Sequence, residues 1–371
     1  MLKLSRAAFL LAGLAVAAAS SNAQAQDWFT GELGDPWDFS DTVLGEDSDL
    51  DIGGWTQFGY TNNSDGVFNT HPDHLDLQQL NIYLEKVADG SEGLDFGGRV
   101  DVMYGTDAPN TQAFGNNPGK WDFMNGFDHG PYGWAFPQAY LEAAYGDLSI
   151  KAGHFYTLLG YQVVPATGNF FYSIPFTFNF SEAFTHTGVL ATYNASDDIT
   201  LYGGWTLGWD TGYDQFNNGN SFLGGASVSV TDDVTVTYIL TAGNLGWIGK
   251  GYTHSIVADW VISDNWEYVF QSDVVSVDSI GGGHYDTVGV NQYVFYTISD
   301  RLKAGGRLEW WKADGTSYNE MAFGLNIMPT ANLRIRPEVR YNWAPGTTTG
   351  TNPFGITVDE TIFGIDAILT F

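Results

Sequence analysis

Cysteine is absent from the 371 residues, which rules out a disulfide framework and a cysteine nucleophile. Basic side chains are scarce. Fourteen Lys and Arg face 43 Asp and Glu, a formal net charge of −29, and that balance argues against nucleic acid as a partner. Long apolar runs are lacking as well. Beyond the N-terminus no stretch approaches the roughly 20 apolar residues that a membrane-spanning helix needs. The catalytic signatures HExxH, GxSxG and Walker A are missing. Acids are plentiful, but no pair stands out by its spacing as a hydrolytic couple. Neither an enzyme activity nor a cofactor is expected. His71 and His74 form an HxxH in a polar stretch, which reads as ordinary loop composition.

What is present begins with a targeting segment. Lys3 and Arg6 precede an apolar run, Ala7 to Ala19, and Ala23-Gln24-Ala25 fits a small-x-small cleavage site. Residues 1–25 therefore read as a signal peptide. Residues 26–50 are acidic, with no Lys or Arg, and read as a solvated periplasmic segment; a short plug or a calcium-binding stretch is the sharper alternative.

From residue 51 to 371 the chain reads as hairpins. Its last strand, Glu360 to Phe371, shows the pattern best. Thr361, Phe363, Ile365, Ala367, Leu369 and Phe371 point one way; Glu360, Gly364, Asp366 and Thr370 point the other, with Ile362 and Ile368 as apolar exceptions. Similar strands are expected at 51–61, 77–87, 94–104, 136–146, 148–157, 185–194, 198–209 and 221–231. The series continues at 234–243, 252–262, 265–276, 286–298, 301–312, 317–328, 332–343 and 360–371. Tight turns of one chemistry recur at Ser196-Asp197-Asp198, Thr231-Asp232-Asp233, Ser263-Asp264-Asn265 and Ser299-Asp300-Arg301. Longer connections fall between them. The expected fold is an all-β transmembrane antiparallel barrel of about sixteen strands, with short periplasmic turns and long extracellular loops.

Charge assigns the faces. An Arg or Lys on the lipid face at mid-membrane costs about 2–4 kcal/mol, so Arg334, Arg336 and Arg340 face inward with Glu338. Lys303, Arg307 and Glu309 join them, as do Arg99, Asp101, Lys151, Glu267, Asp273 and Asp366. These are the expected pore-lining residues of a wet lumen. Two readings of the basic ladder stand together. It can set a transverse field, or it can pair with Glu338, Glu309 and Glu320 to hold the wall.

Residues 158–184 are unusual for a loop. They hold six Phe and two Tyr, with Glu182 the only charge. Exposed, they would make a large apolar patch. Phe170, Phe171, Tyr172, Pro175, Phe176, Phe180 and Glu182 are therefore expected to pack inside the barrel as a constriction or against a sister subunit. The terminal Phe371 is the expected assembly signal.

The stretch Lys151 to Tyr193, and above all GNFFYS at 168–173 and FTHTG at 184–188, resembles the hallmark region of the OmpL-like β-barrel porin family. The family's outer-membrane proteins are common in planctomycetes and occur in other Gram-negative bacteria. The resemblance implies an outer-membrane barrel with pore activity. In general porins a third loop folds inward and faces a basic cluster. This loop has the same ordinal place but almost no acids. The expected function is passive diffusion of small polar solutes and ions. The expected partners are outer-membrane lipid, the barrel assembly machinery and sister subunits. The alternatives are a surface enzyme and a blocked-barrel scaffold or adhesin.

Overall fold

The computed structural model describes residues 32–45, 47–64, 66–313, 315–346 and 354–371. The expected signal peptide and the start of the acidic segment lie outside these residues.

Among the described residues sixteen strands form. The first eight are β1 (Asp51–Thr61), β2 (Leu75–Lys86), β3 (Asp95–Gly105), β4 (Gly133–Tyr145), β5 (Leu148–Tyr156), β6 (Thr185–Ser196), β7 (Ile199–Thr206) and β8 (Asn220–Thr231). They continue as β9 (Val234–Asn244), β10 (Lys250–Val261), β11 (Trp266–Asp278), β12 (His284–Ser299), β13 (Leu302–Ala313), β14 (Thr316–Thr330), β15 (Leu333–Trp343) and β16 (Glu360–Thr370). Short helices α1 (Phe39–Leu44), α2 (Ala108–Thr111) and α3 (Phe176–Ser181) lie in the connections. Each strand pairs antiparallel with its sequence neighbours, and β16 returns to β1 to close the barrel. Closure sets Phe58 opposite Ala367 and Gly59 opposite Asp366. A closed sheet leaves no unpaired edge, which is what a bilayer demands of strands.

The recurrent turns owe their shape to one hydrogen bond. In each, the leading hydroxyl accepts the N–H two residues on: Ser196 from Asp198, Thr231 from Asp233, Ser263 from Asn265 and Ser299 from Arg301, at 3.3 to 3.4 Å. The ladder slips by a residue beside three of them, as the β-bulges at Asn194/Ser196, Ser229/Thr231 and Thr297/Ser299. At this end the connections are short, down to residues 146–147, 197–198 and 232–233. At the other end they reach 106–132, 157–184 and 344–359. The β13–β14 connection departs from the pattern, with only residues 314–315 at the long-loop end.

The two faces are inverted relative to a water-soluble protein. On β14, Phe323 is 67 % exposed on the outside while Glu320 is fully buried on the inside. Every arginine of β15 lies on the inner face, as the charge argument requires. Ile362 and Ile368, the exceptions of the last strand, are also inside and are buried to 3 % and 2 %. Ile368 packs with Trp55 and Ala166.

The described residues from 32 to 39 pack against the short-turn end. Trp37 and Asn332 exchange two bonds, at 2.7 and 2.8 Å, and the Phe39 ring stands edge-on to Phe371. Arg301 donates to the Glu32 carbonyl. This part of the acidic segment is docked on the barrel rather than free of it.

Candidate functional site

The loop between β5 and β6, residues 157–184, lies inside the barrel. From Phe171 to Asn179 every residue is buried. The composition left two places for these aromatics, and they occupy the interior. Wall glycines make room. A Cβ on Gly364 would meet Tyr172 at 2.5 Å, and one on Gly305 would meet Phe170 at 2.5 Å.

The loop carries a single charge, and its uncharged polar side chains are joined by a buried backbone. Buried backbone groups need partners. The wall supplies them. Arg336 donates to the carbonyls of Ala166, Asn169 and Phe171 at 3.1, 2.7 and 3.0 Å. Arg334 donates to Thr167, Arg307 to Ser173 and Arg340 to Ile174. In the other sense, Glu338 accepts the N–H groups of Tyr172 and Ser173 at 2.8 and 3.1 Å. Glu309 accepts those of Phe176 and Thr177 at 2.7 and 2.6 Å. The aromatic side chains fill pockets between these contacts. Phe171 packs on Tyr293, Phe295 and Ala322, and Phe176 on Trp311 and Tyr318.

The ion pairs of the wall differ in part from the pairing read from sequence. Arg340 pairs with Glu320 at 2.8 Å, as expected, and Arg307 pairs with the same carboxylate. Arg336 pairs instead with Asp366, because the register of β15 and β16 sets those two opposite each other. Glu309 and Glu338 turn to the loop. All four arginines of the ladder are thus committed to the loop backbone, and three of them also to a carboxylate.

Burial divides the inner face. Arg307, Arg336 and Arg340 are exposed to 2 % or less, and Asp101, Asp273, Glu309, Glu338 and Asp366 are buried with them. The lumen is therefore filled at this level, and the expectation of water along the whole ladder does not describe the docked state. Arg99, Lys151, Glu267, Lys303 and Arg334 are only partly covered. They lie toward the short-turn end, where Arg99 pairs with Glu85 and Asp101 and Lys303 pairs with Glu267. Thr192, Thr200, Ser227 and Thr237 complete that wall with neutral hydroxyls, also partly exposed. The interior thus has partly exposed polar and charged side chains toward one end and a packed core at the other.

Both ends of the loop are anchored by neutral amides that a search for charge overlooks. Gln79 donates to the Val164 carbonyl and accepts from Ala166 N–H at 3.0 Å each. Gln271 accepts from Tyr161 N–H and donates to Glu182 at 2.6 Å. The only sequence signal was their position on inward-facing phases of β2 and β11. Burial, and next the neighbouring Asp273, push the Glu182 carboxyl well above its ordinary range. Outside the loop, His71 and His74 stack at 3.9 Å, with His71 turned to Asp76.

Known structures share this architecture. The chain is similar to OmpT, an outer-membrane protein of Vibrio cholerae in trimer form, at 14 % identity over 87 % of this chain and 99 % of that one, with a TM-score of 0.58. It is similar to an anion-selective porin from Comamonas acidovorans at 11 % identity, over 87 % and 99 % of the chains, with a TM-score of 0.61. It is similar to the outer-membrane channel DcaP of Acinetobacter baumannii at 10 % identity, over 87 % and 97 %, with a TM-score of 0.61. At these identities the likeness is one of fold. No curated protein sequence matches the chain. Residues 49–371 match the model of the family described as "Putative beta-barrel porin-2, OmpL-like". With closed barrel, inward loop and family model in agreement, the chain belongs to this OmpL-like family of porin-type outer-membrane β-barrels.

Proposed function

We propose that the protein is an outer-membrane channel for passive diffusion of water, ions and small polar solutes, and that loop 157–184 controls its opening. The observation that carries this reading is the loop itself. It fills the lumen, yet much of the wall's hold on its central stretch is hydrogen bonding to backbone, which water can replace. Arg99, Lys151, Glu267 and Lys303 line the path as it stands. Asp101, Asp273, Arg307, Glu309, Arg334, Arg336, Glu338, Arg340 and Asp366 join them when the loop shifts. Phe170, Phe171, Tyr172, Pro175, Phe176, Phe180 and Glu182 form the constriction.

The short turns and residues 26–50 then face the periplasm of a Gram-negative cell, the signal peptide having been removed, and the long loops face outward. Lipid covers the apolar exterior, and the assembly machinery reads the strand ending in Phe371. The trimer form described for OmpT of Vibrio cholerae supports looking for sister subunits.

Planar-bilayer recording on the purified chain and on a variant lacking residues 166–180 tests the reading. The expected result is a small or intermittent conductance in the parent and a larger unit conductance in the variant. Silence from both favours a blocked-barrel scaffold, the second reading, which the extent of burial around the loop supports.

A further inference from the structure

The inner face of β13, β14 and β15 contacts the loop through one kind of chemistry. Arg334, Arg336, Arg307 and Arg340 donate to the carbonyls of residues 166, 167, 169, 171, 173 and 174. Asn326 donates to the carbonyl of Phe170. Glu338 and Glu309 accept four N–H groups between residues 172 and 177. With the exception of the Ser173 and Thr177 hydroxyls, these contacts are to main-chain atoms. They do not depend on which side chains the segment carries. The segment presents these main-chain atoms along a curved path, from a 3-10 turn at 166–168 to the first residues of α3, whose N–H groups Glu309 accepts.

The side chains meet a second, apolar layer. Phe171 and Phe176 each lie between an aromatic pad and a guanidinium, Arg307 at 4.9 Å from the first ring centre and Arg340 at 4.6 Å from the second. Phe170 stacks obliquely on Phe295 at 4.8 Å. These seats accept flat or bulky apolar groups and offer little to a small polar one. The charges narrow the choice further. A simple anion meets Glu309 and Glu338, and a simple cation meets the arginines. A neutral chain with both donors and acceptors satisfies both sets.

We propose that the inner wall of β13–β15 is a binding site for short peptides with apolar side chains that follow the curved main-chain path of residues 166–177, and that this segment is its built-in occupant. The site is open to an external peptide only when the loop leaves it, so the inference rests on the loop movement of the proposed function. It names a ligand class for that channel: oligopeptides that displace or replace the loop. Tethering gives the loop the advantage of a high effective concentration, so an external peptide competes only weakly against the intact chain.

The test uses a fluorescently labelled synthetic peptide of sequence GNFFYSIPF, residues 168–176. It is titrated into the detergent-purified full chain with residues 166–177 replaced by a Gly/Ser linker of equal length. Folding of this variant, and of the same variant carrying Glu338→Gln and Glu309→Gln, is checked by heat-modifiable gel mobility. Saturable binding is expected, and a peptide with the same apolar residues in shuffled order should compete. Losing the two carboxylates should weaken binding by at least about tenfold. A peptide methylated on the nitrogens of Tyr172 and Ser173 should be weakened similarly. Absence of saturable binding overturns the proposal. So does binding indifferent to both changes, which marks greasy partition, and so does equal competition by maltohexaose. Because binding is read without current, a variant that binds peptide but never conducts refutes the channel reading and leaves the site standing. A variant that conducts but does not bind does the reverse.

Discussion

Arg336 and Asp366 form a two-bond pair across β15 and β16, with Nε to Oδ1 at 2.9 Å and Nη2 to Oδ2 at 2.5 Å. The remaining Nη1 of Arg336 holds three loop carbonyls, and Gln57 donates to the same Asp366 at 2.7 Å. The pair thus joins the barrel seam to the loop.

Arg336→Met should destabilise the folded barrel by about 3–5 kcal/mol, because it strands a buried carboxylate. The midpoint of urea unfolding in detergent measures this. Adding Asp366→Leu should recover most of the loss, since removing both partners leaves no unpaired charge. A double variant no better than the single one would show that the loop carbonyls, not the ion pair, dominate.

Glu338→Gln and Glu309→Gln should each loosen the loop. A carboxylate accepting N–H bonds is worth about 1.5–3 kcal/mol per bond, and an amide oxygen is roughly half as strong an acceptor. Single-channel records should show the open fraction rise at least about tenfold in the double variant. Unchanged dwell times would mean that the loop is held by its aromatic seats alone.

Loop docking should depend on pH through Glu182. Its carboxyl is buried among Gln271 and Asp273 of β11, with Glu309 of β13 farther off, and it is held well above its ordinary value of 4.5. The docked loop keeps a proton that a released loop surrenders. Docking is therefore strongest below about pH 4.5 and weakens as pH rises toward the higher value of the docked state. Open fraction should increase from pH 4 to pH 9, and Glu182→Gln should flatten that dependence. A rise in open fraction on acidification would reverse the sign and sink the account.

Deleting Phe371 should reduce assembly more than stability. Its backbone exchanges two bonds with Gly54, at 2.9 and 3.0 Å, at the seam. Losing them costs about 2 kcal/mol. If the residue is also read during insertion, the yield in the outer membrane falls further than refolding of the same variant into detergent micelles does. Equal losses in both settings would leave Phe371 a structural residue only.

The barrel was legible in the chain because its causes are local. Alternation on Glu360 to Phe371 follows from the pleat, and the Ser/Thr turn bonds at residues 196, 231, 263 and 299 span three residues each. The arginines of β15 had to face inward because lipid forbids them. These arguments place all sixteen strands to within about three residues. Even the aromatic content of 158–184 declared that the loop must be covered.

What covers it was decided by tertiary structure alone. Strand register sets Arg336 against Asp366 and Arg340 near Glu320, and no pattern along the chain states which strands are neighbours at a given height. Much of the loop's need was for backbone partners, which every residue carries alike and which therefore leave no compositional trace. Gln79 and Gln271 were unreadable as anchors for the same reason: an inward amide looks like any other until a loop carbonyl or N–H arrives beside it. The inner charges were visible from their cost in lipid. Whether they met water or a folded loop depended on where a segment more than a hundred residues away came to rest.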